Sequence, residues 1–326
     1  MLIRKKNKLF IVHSPLHIII CMRILDQENI DIKDCMFFAY YSLTNEKKIK
    51  FYLKKFGLYE KTIFYKYNTF SIINVFQSIY RGFKIRNVEA IYFSAIESVF
   101  LHSILAYVKH DNFFTFDDGT ANIDSLSRYF GTYKKRKIAR FFRYIFRIKH
   151  DIESVRKKTH AHYSIYKGYE NITDNIKYIS LFDENENSQE YKSDDECFVL
   201  LGSVFNEVVK KINDKKILID RMDFFLKKTV GDKKNDFYYI PHPREKNYTT
   251  FDGKIITSSE VAEDIIINLS KKYKKINLYG FSSSAQFNVS SIHNVKLFVF
   301  HSPLMTNVLN SLAHKIRSSN AELIEL

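Results

Sequence analysis

The sequence predicts an α/β protein of two doubly wound domains, each built on a parallel sheet. Three observations carry this. Short apolar runs alternate with amphipathic stretches from residue 8 onward, the 326-residue length suits two domains, and the polar stretch at 181–196 interrupts an alternation that then resumes.

The first elements follow in order. "KLFIVHS" (8–14) is an apolar strand, and "PLHIIICMRILDQ" (15–27) is a helix with proline at its opening, where no backbone N–H is needed. "DCMFFAYY" (34–41) is a strand and "TNEKKIKFYLKKF" (44–56) a helix; "KTIFYKY", "FSIINVFQSIYRGF", "EAIYFSA", "ESVFLHSILAYVKH" and "DNFFTFDDG" continue the pattern. Five strands interleaved with four helices imply a parallel sheet. "SRYFGTYKKRKIARFFRYIFRIKHDIESVRKK" (127–158) interleaves aromatic residues with Lys and Arg. It reads either as amphipathic helix with a solvated basic face or as a surface for anionic lipid or glycan. "AHYSIYKGYENI" bridges the halves, and "LFDENENSQEYKSDDE" (181–196) is an exposed loop. Afterwards come "CFVLLGS", "KKILIDRMDFFLKKTVG", "DFYYIPHP", "GKIITSSEVAEDIIINLSKKY", "KINLYGFSSSA" and "VKLFVFHSP". The expected domains are 1–160 and 161–326, the second with a terminal helix. Facing each other across a cleft, two such Rossmann-like domains would form the GT-B architecture, an inference by fold analogy.

Composition narrows the class. The chain is 45% hydrophobic and 27% charged, which is globular and not disordered. Its formal net charge of +15 suits an anionic partner: a nucleotide, an anionic glycan, nucleic acid or an acidic lipid surface. No RRM, KH or zinc-finger signature supports nucleic acid. Cys21, Cys35 and Cys197 are widely spaced, without metal-ligand spacing, and read as reduced core residues of a cytosolic protein. The basic and apolar opening resembles a signal peptide only briefly, because His13, Pro15 and His17 interrupt it and no small-residue cleavage site follows.

Ligands of open α/β sheets bind beyond the carboxyl ends of strands, and three polar clusters fall there. Asp117 and Asp118 precede Gly119, which permits a sharp turn; the pair suits a general base, a cation site or a helix cap. Pro241 and Pro243 flank His242 at the end of "DFYYI". Either they only end the strand, or they stiffen a loop presenting an imidazole to a phosphate or a proton, beside the fixed charge of Arg244. Gly280 with Ser282, Ser283 and Ser284 offers hydroxyls and backbone N–H groups for an anion, or simple capping. Gly202 ends the run "CFVLLG" in the same way. On the helix "KKILIDRMDFFLKK", Asp220 shares an apolar stripe with Ile217 and Phe224, so it is expected to be buried with a raised pKa; Asp223 pairs with Lys227. The proline of "HSPL", Pro15 and again Pro303, reads as a helix start.

Together "FDDG", "ILID", "HPRE", "AEDII", "YGFSSSA" and the opening "FIVHSPLHIII" resemble the bacterial sialyltransferases of glycosyltransferase family 52, over about residues 8–315. The resemblance implies a GT-B enzyme with an acceptor-side N-terminal domain and a CMP-sugar-binding C-terminal domain. It implies inverting transfer of sialic acid from CMP-sialic acid to a terminal galactose of lipooligosaccharide or capsule, with no metal and no cofactor. His242 matches the histidine at the donor phosphate, Ser283 and Ser284 match the phosphate serines, and Glu263 matches a carboxylate for the ribose hydroxyls, with Gly202, Pro243, Arg244, Gly280 and Ser282 lining the donor site. Asp220 matches the base of this family, whereas Asp117 or Asp118 would serve if the chain followed other bacterial sialyltransferases. The resemblance further implies a homodimer; the cysteines place the chain in the cytoplasm, and the basic surface would draw it to anionic lipid-linked acceptor at the inner membrane face. Two other functions remain open: a transferase of this fold using another donor such as a UDP-hexose, and a non-catalytic basic protein binding nucleic acid or membrane.

Overall fold

A computed structural model describes residues 7–67, 72–85, 87–131, 141, 143–182, 193–231, 236–245, 253–316 and 320–326. The chain divides into two compact units, Met1–Leu181 and Phe182–Leu326.

The first unit contains β1 (Lys8–Val12), α1 (Pro15–Gln27), β2 (Cys35–Tyr41), α2 (Glu46–Lys55), β3 (Thr62–Lys66), α3 (Ile72–Ile85), β4 (Asn87–Phe93), α4 (Val99–Tyr107), β5 (Lys109–Phe116), α5 (Ile152–Lys158), β6 (His162–Ser164) and β7 (Ile176–Tyr178). Its strands run parallel in the order β3-β2-β1-β4-β5-β6-β7. Ser14 caps α1 by accepting the His17 N–H, with Pro15 in the first turn as expected. Leu9, Ile11, Phe38, Ile91 and Phe93 of the sheet pack with Leu101 and Ile104 of α4 in one buried cluster. Chain order reverses direction between β1 and β4, which puts the topological switch point at their carboxyl ends.

The second unit contains β8 (Ser193–Leu201), α6 (Phe205–Val208), α7 (Asp214–Val230), β9 (Phe237–Ile240), β10 (Lys254–Ile255), α8 (Ala262–Ser270), β11 (Tyr273–Gly280), α9 (Ser284–Asn288), β12 (Val295–His301), α10 (Asn307–Lys315) and β13 (Ala321–Glu325). The order β10-β9-β8-β11-β12-β13, again all parallel, places its switch point between β8 and β11. The sheet is covered on both sides. Cys197, Val199 and Leu278 pack with Ile266 in one cluster, and Phe198, Leu200 and Phe300 pack with Leu218 and Met222 in another.

Both sheets bear out the α/β, doubly wound expectation, with four differences in detail. The segment after residue 160 does not bridge the halves, because β6 and β7 extend the first sheet and the division falls at Leu181. The last helix, α10, is followed by β13, so the second unit does not finish on a helix. Pro303 lies in a turn four residues before α10 and does not start it. The polar loop at 181–196 lies mostly outside the described residues, although its final residues belong to β8; residues 132–140 and 142 of the basic stretch also lie outside them. The three cysteines are buried and unpaired, and burial pushes the Cys35 thiol up to about 11. Among the described residues no helix is long and apolar enough to cross a membrane.

Candidate functional site

At the first switch point the end of β1 meets the turns after β4 and β5. His13 lies just beyond β1, Ser94 just beyond β4, and Asp118 just beyond β5, where Gly119 takes φ +73°. The fully buried ring of His17, on the first turn of α1, joins them. Its Nδ1 accepts the His13 backbone N–H at 3.3 Å, so the ring carries its proton on Nε2, which donates to Asp118 Oδ1 at 2.8 Å. Ser94 Oγ lies 3.0 Å from Nδ1 as a second donor. His13 Nε2 stands 3.4 Å from the same Asp118 oxygen, and the Tyr129 hydroxyl donates to the other at 2.7 Å. Burial pushes the His17 imidazole down to about 4, helped by His13 and opposed by its bond to Asp118, so it is neutral at pH 7. Burial alone would raise the Asp118 carboxyl, but His13 and the hydrogen bonds outweigh it and hold Asp118 well below the usual carboxylate range. Beside them Glu97 is pushed up by burial and by the Asp118 charge, and its Oε2 is buried with no hydrogen-bond partner among the described residues.

This is an ionised carboxylate held from several sides, suited to accepting hydroxyl protons in hydrogen bonds. His13, His17 and Asp118 also place one ligand atom each within 4.8 Å of one another, as a metal site would require. A metal on His17 Nε2 would need the ring proton on Nδ1, where the His13 N–H already points. The hydrogen-bonded form fits these residues better.

Asp117 has a different role from its neighbour. Its side chain is fully buried and accepts from His162 Nε2 at 2.9 Å, Ser164 Oγ at 2.8 Å and the Ile165 N–H at 2.7 Å. It ties β5 to β6 and has no open face for a substrate.

In the second unit, His242 follows β9 in a tight turn closed by the Glu245 N–H on the His242 carbonyl at 2.9 Å. Glu245 is the residue that holds the loop: its carboxylate accepts the Tyr239 hydroxyl at 2.6 Å and the His242 N–H at 3.2 Å. His242 Nδ1 accepts the Arg244 N–H at 3.1 Å, which leaves Nε2 as the protonated, donating atom. The fork of Arg244 is taken by Glu207, at 2.6 and 2.7 Å, so its charge is partly spent within the protein. Gly202, after β8, backs the same turn. A Cβ there would lie 2.5 Å from Glu245 Oε2 and 2.7 Å from both His242 N and Tyr239 Oη. Gly202→Ala is therefore expected to cost about 1–3 kcal/mol, read as a lowered Tm, because the stiff Pro-His-Pro loop must shift as a whole.

At the end of β11, Gly280 leaves room for Gln286, whose Oε1 would stand 2.8 Å from a Cβ. Ser282 has φ +54°, an uncommon conformation for a residue with a side chain, and its hydroxyl donates to the Leu309 carbonyl at 3.1 Å. Ser283 caps α9 in a reciprocal arrangement with Gln286, while Ser284 opens the helix. Glu263, in the first turn of α8, is buried and accepts Asn288 Nδ2 at 2.7 Å. Gly202, His242, Gly280 and the serines thus share the carboxyl edge of one sheet, around its switch point. Asp220 does not match expectation. It is exposed on α7, flanked by Ile217 at 46% and Phe224 at 72% exposure, because Leu218, Met222, Leu226 and Val230 form the buried face instead. Asp223 pairs with Lys227 at 2.6 Å as expected. Sequence reasoning missed His13, His17, Ser94, Glu97, Tyr129 and Glu245. Position at a strand end was the available signal for the two histidines.

Two parallel, doubly wound units, each with polar side chains at its switch point, define a GT-B protein. The chain belongs to glycosyltransferase family 52, whose family model matches residues 20–303. It is 31% identical over 217 residues to an N-acetyllactosaminide alpha-2,3-sialyltransferase of Haemophilus influenzae, covering 65% of this chain and 64% of that one. It is 27% identical to a CMP-N-acetylneuraminate:beta-galactoside alpha-2,3-sialyltransferase of Pasteurella multocida, over 76% of this chain and 77% of the relative. The match to the Haemophilus protein thus spans just under two thirds of that protein's length. Among solved structures, the GT-B domain of a Photobacterium damselae sialyltransferase superposes with a TM-score of 0.56 at 14% identity, over 98% of this chain and all of that one. That likeness speaks for the fold.

Proposed function

We propose that this chain is an inverting, metal-independent sialyltransferase, moving sialic acid from CMP-sialic acid to a terminal galactose of a surface glycan such as lipooligosaccharide or capsule, on the cytoplasmic side. The observation that carries the reading is His242 in its braced loop at the carboxyl edge of the second sheet, with its proton on Nε2, in a chain of this family. In the reaction the acceptor hydroxyl oxygen attacks the anomeric carbon, its proton passes to Asp220, and CMP departs with the bonding electron pair on its phosphate. The departing phosphate receives hydrogen bonds from His242 and from the hydroxyls of Ser283 and Ser284. Glu263 binds the ribose hydroxyls. The family resemblance supports Asp220, and its exposure leaves the carboxylate reachable by a sugar hydroxyl. Asp118, held ionised by His13, His17 and Tyr129, binds acceptor hydroxyls.

The test is CMP release from CMP-sialic acid with lactose-type acceptors. Release is expected to be unchanged by EDTA; a folded protein that releases none across a panel of galactosides overturns the reading. Thermal shifts distinguish the donor, since a nucleotide at a hundred times its Kd stabilises by about 2.7 kcal/mol. Stabilisation by UDP and not by CMP would reassign the chain to another sugar.

A further inference from the structure

An aromatic face of the first unit takes no part in the site described. Phe76, Tyr80 and Phe83 recur at four- and three-residue spacing on α3 and are 51%, 60% and 58% exposed. Beside them Tyr144 and Ile145 are 84% and 51% exposed. Ring and hydrogen-bond contacts join the two segments. The Phe83 ring packs on Tyr107 at 4.7 Å, the Tyr107 hydroxyl donates to the Phe146 carbonyl at 2.7 Å, and the Phe146 ring meets Phe76 at 4.9 Å. A contiguous exposed apolar patch of this kind marks an interaction site.

The charge around the patch selects the partner. Lys84, Arg147 and Lys149 are exposed there, and neither residues 72–85 nor residues 141–150 contain an aspartate or glutamate. A two-fold contact between copies of this chain would set that basic face against itself. Aromatic rings flanked by Lys and Arg, with no acidic residue, instead match the headgroup level of an anionic bilayer: the rings enter the interface and the cations meet lipid phosphates. We propose that the face formed by α3 and residues 144–147 docks the protein on an anionic lipid membrane. This goes beyond the transferase reading and stands without it.

The chain contains no tryptophan, so Tyr144→Trp creates a single fluorescent reporter on the face, and Phe224→Trp a single control on the second unit, where Phe224 is 72% exposed. Vesicles of phosphatidylcholine with phosphatidylglycerol are expected to shift the emission of the first to the blue and leave the second unchanged. Pure phosphatidylcholine is expected to act far more weakly, and added salt to weaken the anionic binding. In co-sedimentation with the same vesicles, Tyr80→Ser with Tyr144→Ser is expected to reduce partition by about tenfold per ring removed. Both rings are mostly exposed, so the melting curve should not move; Lys84→Glu with Arg147→Glu is expected to abolish the preference for phosphatidylglycerol. Equal blue shifts at both reporters, unchanged partition of these variants, or no vesicle binding by the unsubstituted chain would each overturn the proposal. So would loss of a concentration-dependent dimer in the Tyr80/Tyr144 variant, which would make the face a protein contact.

Discussion

Asp220→Asn is expected to cut sialyl transfer by about a hundredfold to ten-thousandfold, the range for removing a general base. CMP should still raise the Tm of the variant, and the donor KM should hardly change. An amide keeps the shape of the side chain but cannot take the proton of the attacking hydroxyl, so the loss falls on kcat. Because Asp220 is exposed on α7, outside the Leu218–Met222–Leu226 face, the substitution disturbs no packing and the fold serves as its own control. Asp118→Asn makes the comparison decisive. The amide of the variant would present a donor to either the Tyr129 hydroxyl or the histidines, which now donate to the carboxylate. The expected result is a raised acceptor KM with a smaller change in kcat. If the pattern is reversed, with kcat lost in Asp118→Asn and retained in Asp220→Asn, the proton passes to the first unit and Asp220 loses its role. Steady-state kinetics with both substrates varied distinguishes the outcomes.

The exposure of Asp220 also illustrates where sequence and structure diverge. Counting by helical period correctly groups Ile217, Asp220 and Phe224, but α7 carries a second apolar stripe four residues apart, from Leu218 to Val230. Periodicity tells which residues share a face and not which of two apolar faces the sheet will cover; Leu218 and Met222 pack beneath Phe198 and Leu200, leaving the other stripe outside. The long strands were legible because runs such as "KLFIV" and "CMFFAYY" are buried on both faces, as parallel strands require. β6 and β7 were not, since three residues each, "HYS" and "IKY", form no apolar run. Pro15 drew attention to "HSPLH" as a helix start, which it is, and thereby hid the histidines on either side. What joins His17 to Asp118 is a distance of 101 residues along the chain closed by sheet topology, which no local pattern encodes. His242 was legible because its restraint is local, in two prolines, yet the carboxylate that braces it, Glu245, reads in sequence as an ordinary surface charge.

The adjacent aspartates of "DDG" are expected to respond to substitution to very different extents. Asp117→Asn should destabilise the first unit by about 3–5 kcal/mol, the cost of removing one partner from a buried charged network. Three donors converge on Asp117: His162 Nε2, the Ser164 hydroxyl and the Ile165 N–H. The network continues outward. Thr115 Oγ1 lies 2.9 Å from His162 Nδ1, and Ser164 Oγ already accepts from Asn171 Nδ2 at 3.0 Å and the Tyr166 N–H at 3.1 Å. An asparagine amide cannot accept from all three donors: with its NH₂ toward Ser164 and the Ile165 amide it meets two donors, and with its NH₂ toward His162 the ring must move its proton to Nδ1, onto the Thr115 hydroxyl. Circular dichroism during urea unfolding should show the transition of the first unit moved to lower denaturant while that of the second unit stays, since among the described residues the partners of Asp117 lie within Met1–Leu181. Asp118→Asn, whose side chain is 20% exposed and faces the switch point, should move the transition far less. Equal stability losses in the two variants would mean that the pair acts as one buried unit, and would remove the ground for treating Asp118 as the aspartate open to substrate.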